Sequence, residues 1–173
     1  MVPEDALNRK EKNCMSVKEE MLQFIDTNVL VYAYDKSAGA KYQKAKELLK
    51  CIWNLGTGCI SIQVLQEFYV TVTDKLAYPM ESEIASRIIS GLSSWCLHSP
   101  SPEDVIHAIF LHQAHRVSFW DAMIIQSAQR MNCQVLFSED LNPGQCYDSV
   151  RVVNPFTDDL YNLEGKFGQY LHD

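Results

Sequence analysis

A polar triplet between two apolar runs is the feature that most constrains the fold. A short, mostly apolar run, Leu22–Ile25, leads into Asp26, Thr27 and Asn28, and a second apolar run, Val29–Tyr34, follows. The first run is typical of a buried strand, and the second is long enough for a helix. An acid at the end of a buried strand places polar chemistry at the carboxyl edge of a sheet. In open α/β folds, ligands bind at that edge.

Short strands alternate with helices along the rest of the chain. The predicted strands are residues 22–26, 59–61, 134–137 and 150–153. The predicted helices are residues 27–34, 40–55, a helix capped by Ser61 and stopped by Tyr78–Pro79, 82–95, 102–115 and 118–132. Such alternation indicates βαβ units, and therefore an α/β fold with a parallel sheet and right-handed crossovers.

The bulk composition narrows the class of protein. The 173 residues suit one domain, and a net charge of −7 argues against a protein that coats nucleic acid by neutralising phosphates. It does not argue against an enzyme whose carboxylates bind a divalent metal. No apolar run approaches the roughly 20 residues of a membrane helix, and the polar N-terminus shows no secretory signal. Six cysteines without a Cys-x-x-Cys pair are predicted to be reduced thiols, so we expect a cytoplasmic protein.

Four acids stand near the ends of predicted elements. Asp26 follows the first strand, Glu67 lies on the helix after the second, Asp121 lies in the first turn of a helix, and Asp140 follows strand 134–137. If the strands are parallel, these positions can share one edge of the sheet. Grouped carboxylates repel each other unless they bind a cation, and Mg²⁺ and Mn²⁺ prefer oxygen ligands. One or two such ions can activate water and stabilise the leaving oxygen in phosphodiester cleavage.

Each acid also has an ordinary structural explanation. Asp26 could cap the helix after it, and Asp121 lies three residues after a serine, as in a capping box. Glu67 falls roughly 60° outside the apolar stripe of its helix, as a solvated residue would. Asp140, beside Glu139, could belong to an exposed acidic turn. Only the set of four favours a catalytic site over these local roles.

Four stretches resemble the motifs of the PIN domain family, especially those of VapC-type toxins from bacterial toxin–antitoxin pairs. The stretches are Phe24–Leu30, Ser61–Phe68, Ser118–Ile124 and Leu136–Leu141. They occur in the family's order, and the resemblance covers residues 22–155. The resemblance implies that residues 21–155 form a PIN-like nuclease domain between a polar N-terminal extension, 1–20, and a C-terminal tail, 156–173.

The resemblance implies a three-layer α/β/α sandwich with a central parallel sheet and a Mg²⁺- or Mn²⁺-dependent endoribonuclease activity. The implied catalytic and metal-binding residues are Asp26, Glu67, Asp121 and Asp140. Asn28 and Ser138 are implied to orient these acids or the water. Glu139 leaves open which of two neighbouring acids faces the metal. An RNA substrate, a homodimer and an antitoxin that blocks the site are also implied.

Two side chains beside the third motif, and two rival functions, complete the expectations. Arg116 is a candidate contact for RNA phosphates near Asp121, whereas Trp120 is expected to pack in the core rather than stack on a base. The first rival is a PIN-fold binding or regulatory module with weak turnover, which the intact set of acids disfavours. The second is a DNA-directed nuclease, which the short chain disfavours because no additional DNA-binding region is evident.

Overall fold

The computed structural model describes residues 21–158, so the predicted extension and all but the start of the predicted tail lie outside the described residues. The strands are β1 (Gln23–Ile25), β2 (Gly58–Ser61), β3 (Cys96–His98), β4 (Val135–Phe137), β5 (Cys146–Tyr147) and β6 (Val150–Val153). The α-helices are α1 (Thr27–Tyr32), α2 (Ala40–Leu55), α3 (Ile62–Val70), α4 (Ser82–Leu92), α5 (Pro102–His115) and α6 (Phe119–Arg130). A 3₁₀ turn covers Lys36–Ala38, and a π-helical turn, Thr71–Lys75, follows α3.

The strands form one sheet in the order β3-β2-β1-β4-β6-β5. Every neighbouring pair is parallel except β5 and β6, so the prediction of an α/β fold is confirmed and the sheet is mixed only at this edge. The sequence pattern does not predict β3 and β5. Both are edge strands of three residues or fewer, and β3 is only partly buried, so neither carries a clear apolar run.

The order of the strands creates a crevice at the carboxyl ends of β1 and β4. The chain moves outward from β1 through β2 to β3 and then returns across the sheet to β4. Right-handed crossovers in opposite directions place their helices on opposite faces of the sheet. The packing agrees, because α2 and α3 each contact α1, whereas α5 packs against α6. Doubly wound sheets bind ligands where the strand order reverses in this way.

The central strands are apolar because helices cover both of their faces. Phe24 and Ile25 of β1 and Leu136 and Phe137 of β4 are fully buried, as the near-continuous apolar runs of parallel strands require. This buried layer holds the loops at the crevice in fixed positions. Within residues 21–158, no helix combines the length and apolarity that a membrane crossing needs.

Within residues 21–158, four of the five cysteines match the prediction of reduced thiols. Cys51, Cys59 and Cys133 are buried free thiols, and Cys146 is an exposed one. Cys96 is disulfide-bonded, so the prediction is wrong there.

Replacing Gly58 by Ala should destabilise the fold. A Cβ at this position would lie 2.5 Å from the Trp95 ring, which is buried and packed against Trp53. Overpacking of this kind costs about 2 kcal/mol, which corresponds to a melting temperature about 4–8 °C lower. Gly91→Ala is the matched control, because its Cβ would meet Trp53 at an ordinary 3.7 Å within α4. Thermal unfolding should show that Gly91→Ala is as stable as the wild type or more stable by up to about 1 kcal/mol. Equal melting temperatures for the two variants would contradict the steric argument.

Candidate active site

Asp26 occupies the carboxyl end of β1 and also caps α1. Its Oδ1 accepts a hydrogen bond from the Thr27 amide at 2.6 Å, and its Oδ2 accepts one from the Ser138 hydroxyl at 2.6 Å. The residue is only 7% exposed. Burial raises the pKa of Asp26 to about 7, against the effect of these two hydrogen bonds, and the carboxylates of Asp140 and Asp121 raise it further. Asp26 therefore caps α1 and also lies close to other acids.

Asn28 and Ser138 connect the loops that follow β1 and β4. The Asn28 Nδ2 donates to Asp26 Oδ2 at 3.2 Å and to Asp140 Oδ2 at 2.9 Å. The Asn28 Oδ1 accepts from the Glu139 amide at 3.4 Å, and the Ser138 hydroxyl accepts from the Asp140 amide at 3.2 Å. Both side chains thus lie beside the acids that they were expected to orient.

Glu67 is held by two side chains whose role the sequence analysis missed. Its Oε2 accepts from the Thr27 hydroxyl at 2.7 Å, and its Oε1 accepts from Gln63 Nε2 at 2.9 Å. Gln63 lies one helical turn before Glu67, and that i, i+4 spacing was a usable signal. Thr27 is 40 positions away in the chain, so nothing local indicated its contact. Glu67 is half-buried rather than on a fully solvated face.

Asp121 lies in the first turn of α6 without completing a capping box. The Ser118 hydroxyl accepts from the Asp121 amide at 3.0 Å, as a cap does. At α5 a return bond completes the box, because the Asp104 carboxylate also accepts a hydrogen bond from the Ser101 amide. Among the described residues no such return bond is found at α6, and the Asp121 side chain instead lines a pocket. The predicted capping box is therefore only half formed.

A pocket of about 670 Å³ collects the predicted acids. Its lining includes all four of them, Asp26, Glu67, Asp121 and Asp140, together with Asn28. Thr27, Gln63, Trp120 and the basic side chain Lys75 also line it. The acids come from four separate elements, so the reversal of strand order and the helix starts together build the site.

Two of the predicted site residues lie elsewhere. Glu139 forms an ion pair with Lys41 and does not belong to the pocket lining, whereas its neighbour Asp140 does. Arg116 is an exposed residue that ends α5 with a left-handed φ of 56°, and it also lies outside the lining. Its contact with phosphates remains a prediction.

Trp120 contradicts the expectation of core packing. The residue is 63% exposed and lines the pocket beside Asp121. Its ring meets Phe119 edge-on at 5.5 Å, and its backbone carbonyl accepts from Gln63 Nε2 at 3.3 Å. Gln63 therefore joins the start of α6, at Trp120, to Glu67. An exposed indole at the mouth of an acidic pocket offers a flat surface on which a base can stack.

The chemistry of the pocket suits a hard divalent cation. The ion pairs found among residues 21–158 leave its four predicted acids without a basic partner, and oxygen donors are the ligands that Mg²⁺ and Mn²⁺ prefer. Within the same residues, no three Asp, Glu, His or Cys side chains already stand as a ligand set for one ion. This is compatible with Mg²⁺, which commonly uses one or two carboxylates and completes its shell with water and substrate phosphates.

Comparison with known proteins gives one family match. The family model described as PIN domain matches residues 24–145. No curated protein matches the chain.

Among the solved structures with a similar fold are a toxin, a toxin–antitoxin complex and a DNA-bound VapBC. VapC20 from Mycobacterium tuberculosis, a sarcin-ricin loop cleaving toxin, is 16% identical over 68% of this chain and 89% of its own, with a TM-score of 0.55. A toxin–antitoxin complex from Klebsiella pneumoniae is 21% identical over 77% and 97%, with a TM-score of 0.56. DNA-bound VapBC from Salmonella typhimurium is 18% identical over 77% and 97%, with a TM-score of 0.53. At these identities the likeness shows a shared fold.

Proposed function

Because the chain belongs to the PIN domain family, we propose that it is a metal-dependent endoribonuclease and the toxin of a toxin–antitoxin pair. The observation that carries this proposal is the convergence of Asp26, Glu67, Asp121 and Asp140 on one pocket from four separate elements. Each acid has a local explanation when taken alone. Together the four acids cost stability, because buried and adjacent carboxylates repel each other and none has a basic partner among the described residues.

The proposed work of the protein is to hold and orient oxygen ligands. The four acids would bind one or two Mg²⁺ or Mn²⁺ ions, which supply charge neutralisation, activation of water and stabilisation of the leaving oxygen. Thr27 and Gln63 fix the Glu67 carboxylate, while Asn28 and Ser138 fix Asp26 and Asp140. In other metal sites, removal of such a contact to a ligand typically lowers metal affinity or activity about 10- to 100-fold.

The lining of the pocket supports single-stranded RNA as the substrate. Trp120 can stack on a base beside Asp121, and Lys75 can contact a phosphate. Trp120→Ala should raise KM for a single-stranded RNA about tenfold or more, because stacking contributes about 1–3 kcal/mol per base. Trp120→Phe should keep most of the affinity. The matched control is Tyr78→Ala, whose side chain is 81% exposed but lies outside the lining; steady-state kinetics in which Trp120→Ala behaves like this control would refute the stacking role.

The proposed partners follow from the fold neighbours. Two of them are toxin–antitoxin complexes, which supports an antitoxin partner for this chain. A homodimer and a cytoplasmic location belong to the same proposal, and both come from the sequence resemblance and composition. Purification of this protein with the product of the adjacent reading frame tests the antitoxin, since a stable complex that blocks RNA cleavage is the expected result.

The function is tested by cleavage of matched RNA and DNA oligonucleotides of the same sequence. We expect cleavage of RNA with Mg²⁺ or Mn²⁺, no cleavage with EDTA, and recovery when excess metal is added back. Cleavage of DNA at a similar rate would favour the DNA-directed nuclease. Absence of both cleavage and Mn²⁺ binding would favour the binding module. RNA cleavage that persists in EDTA would overturn the metal-dependent mechanism.

A further inference from the structure

A second groove lies between α2 and the segment that follows α1. Its volume is about 360 Å³, and the end of α4 also contributes to its lining. No acidic side chain of residues 21–158 lines it, in contrast to the catalytic pocket. Its polar lining consists of aromatic and basic side chains, which are Tyr34, Tyr42, Trp53, Lys36, Lys46 and Lys50. We call it the α2 groove.

Four of these side chains lie along one face of α2. At about 100° per residue, Tyr42, Lys46, Lys50 and Trp53 fall within an arc of about 80°. At about 1.5 Å per residue they extend over about 16 Å of the helix. The face therefore presents two ammonium groups between two aromatic rings, in a line beside the groove.

Trp53 is a ring that is held in place but remains accessible. It is 49% exposed, and its centroid lies 5.9 Å from that of the buried Trp95 ring. A Cβ at Gly91 would lie 3.7 Å from it, so α4 supports the indole closely from that side. A base of any sequence can stack on such a ring, because every base has a π face. Since packing already restrains the indole, binding would order it little further.

The lysines of the α2 groove have no acidic partner among the described residues. Lys36, Lys46 and Lys50 are exposed, and the ion pairs found within residues 21–158 are formed by other side chains. The Lys46 Nζ lies 3.4 Å from the Tyr42 hydroxyl and 5.5 Å from its ring centroid. Glu47, the neighbouring acid in the sequence, lies outside the lining. The groove is thus a local basic site, suited to phosphate, in a chain of net charge −7.

The α2 groove and the catalytic pocket meet at one short segment. Tyr32 and Asp35 line the catalytic pocket, whereas Tyr34 and Lys36 line the α2 groove. Neighbouring Cα atoms are about 3.8 Å apart, so the two rims touch at Asp35 and Lys36. The Asp35 carboxylate accepts hydrogen bonds from the Ser37 amide at 2.9 Å and the Ser37 hydroxyl at 2.6 Å, which hold it in its own turn. One extended strand can therefore occupy both sites.

We propose that the α2 groove binds the part of a single-stranded RNA that extends beyond the catalytic pocket, with a base on Trp53 and phosphates at Lys36, Lys46 and Lys50. The rings and ammonium groups of the groove match the bases and phosphates of a nucleic-acid strand. An acidic peptide would supply the charge but no base to stack on the indole. The choice of RNA rests on the proposed function, whereas binding in the groove requires neither metal nor cleavage.

The first experiment measures binding of a fluorescent single-stranded RNA in EDTA by anisotropy. Trp53→Ala should weaken binding about tenfold or more, and Trp53→Phe should keep most of the affinity, because a stacked base is lost only in the first. Lys46→Gln and Lys50→Gln should each lower the slope of log Kd against log salt by about 0.7. Arg87→Gln, at an exposed position of α4 outside both linings, should keep the wild-type slope.

Circular dichroism of each variant separates loss of binding from unfolding. If Trp53→Ala fails to fold, Trp53→Phe and the two exposed lysine variants still test the groove. The lysine variants alone decide the proposal in that case, because a wild-type salt slope in both of them overturns it.

The second experiment compares cleavage of a long RNA with cleavage of the same RNA trimmed to a few nucleotides around the cut site. The variant with both Lys46→Gln and Lys50→Gln should have a severalfold higher KM for the long RNA with kcat unchanged, as expected when binding remote from the reacting bond is lost. For the trimmed RNA, both constants should equal those of the wild type. An equal rise in KM for both RNAs would contradict a contact outside the catalytic pocket.

The outcomes separate this proposal from the function. RNA binding that the Trp53 and lysine variants leave unchanged overturns the proposal, even if metal-dependent cleavage is observed. Poly-glutamate that binds with the predicted dependence on Lys46 and Lys50, while RNA does not bind, also overturns it and assigns the groove to an acidic peptide. RNA binding with the predicted losses but no cleavage with Mg²⁺ or Mn²⁺ supports the groove and refutes only the proposed function.

Discussion

Asp26→Asn should abolish RNA cleavage while it makes the metal-free protein more stable. Asp26 is the buried acid at the centre of the site, within hydrogen-bond reach of Thr27, Asn28 and Ser138. A neutral amide is a far weaker ligand for a divalent cation than a carboxylate. Loss of about 4 kcal/mol of transition-state stabilisation lowers the rate roughly 10³-fold.

The gain in stability follows from the pKa of Asp26. Because burial raises this pKa from 3.8 to about 7, the folded protein binds a proton more tightly than the unfolded chain does. The contribution of Asp26 to stability is therefore most favourable below pH 4 and is lost as the pH rises through 7. Asn keeps the capping oxygen without the charge. We expect a gain of about 2 kcal/mol above pH 7, or a melting temperature about 4–8 °C higher in EDTA, and little gain at pH 4.

Thermal unfolding in EDTA at several pH values checks this result. Glu47→Gln removes an exposed acid from α2 and is the matched control, for which we expect no pH-dependent change. In the presence of Mn²⁺ the order should reverse, since only the wild type gains from bound metal. Full activity of the Asp26→Asn variant would refute the proposed mechanism. Reduced stability of that variant at pH 8 would show that the hydrogen bonds to the carboxylate outweigh the cost of its burial.

Asp140→Asn should lower the cleavage rate about 100-fold, whereas Glu139→Gln should change it less than about threefold. The two acids are adjacent in the sequence, but the fold separates their environments. Asp140 lines the pocket and accepts a hydrogen bond from Asn28 at 2.9 Å. Glu139 pairs with Lys41, which also lies 4.8 Å from the Tyr32 ring centroid. Neutralising Glu139 therefore removes a partly exposed ion pair, which contributes about 1 kcal/mol or less.

Single-turnover cleavage and Mn²⁺ titration of both variants make the comparison. Asp140→Asn should bind Mn²⁺ more weakly, and Glu139→Gln should bind it as the wild type does. Lys41→Gln is a further control, because it breaks the same ion pair from the other side and should match Glu139→Gln. If Glu139→Gln loses more activity than Asp140→Asn, the assignment of the two acids is reversed.

Local sequence patterns are sufficient to predict the elements whose causes lie close together in the chain. The apolar run before Asp26, the cap of Ser61 and the Ser-Pro start of α5 predicted elements that the structure contains. These features depend on neighbours in the chain, so sequence alone reveals them. The family resemblance read from four short motifs is confirmed by the match over residues 24–145. The fold class followed from the same alternation of strands and helices.

Contacts between distant parts of the chain could not be predicted from the sequence. Thr27 donates a hydrogen bond to Glu67, which lies 40 positions away in the chain. Lys41 forms an ion pair with Glu139, 98 positions away, and Glu139 lies outside the pocket lining. The exposure of Trp120 depends on what packs around the start of α6, which no pattern near it records. The same is true of β3, whose three residues become a strand because they pair with β2.

The sequence by itself determined the central buried strands and the helices between them, the fold class and, through the family resemblance, four candidate acids. Only the tertiary structure decided that these acids meet in one pocket, that Asp140 rather than Glu139 lines it, and that Trp120 is exposed beside Asp121. The physical reason is how far apart in the chain the interacting residues are. Caps and apolar periodicity are set within a few residues, whereas the direction of a side chain at a sheet edge is set by partners that the fold brings from far along the chain.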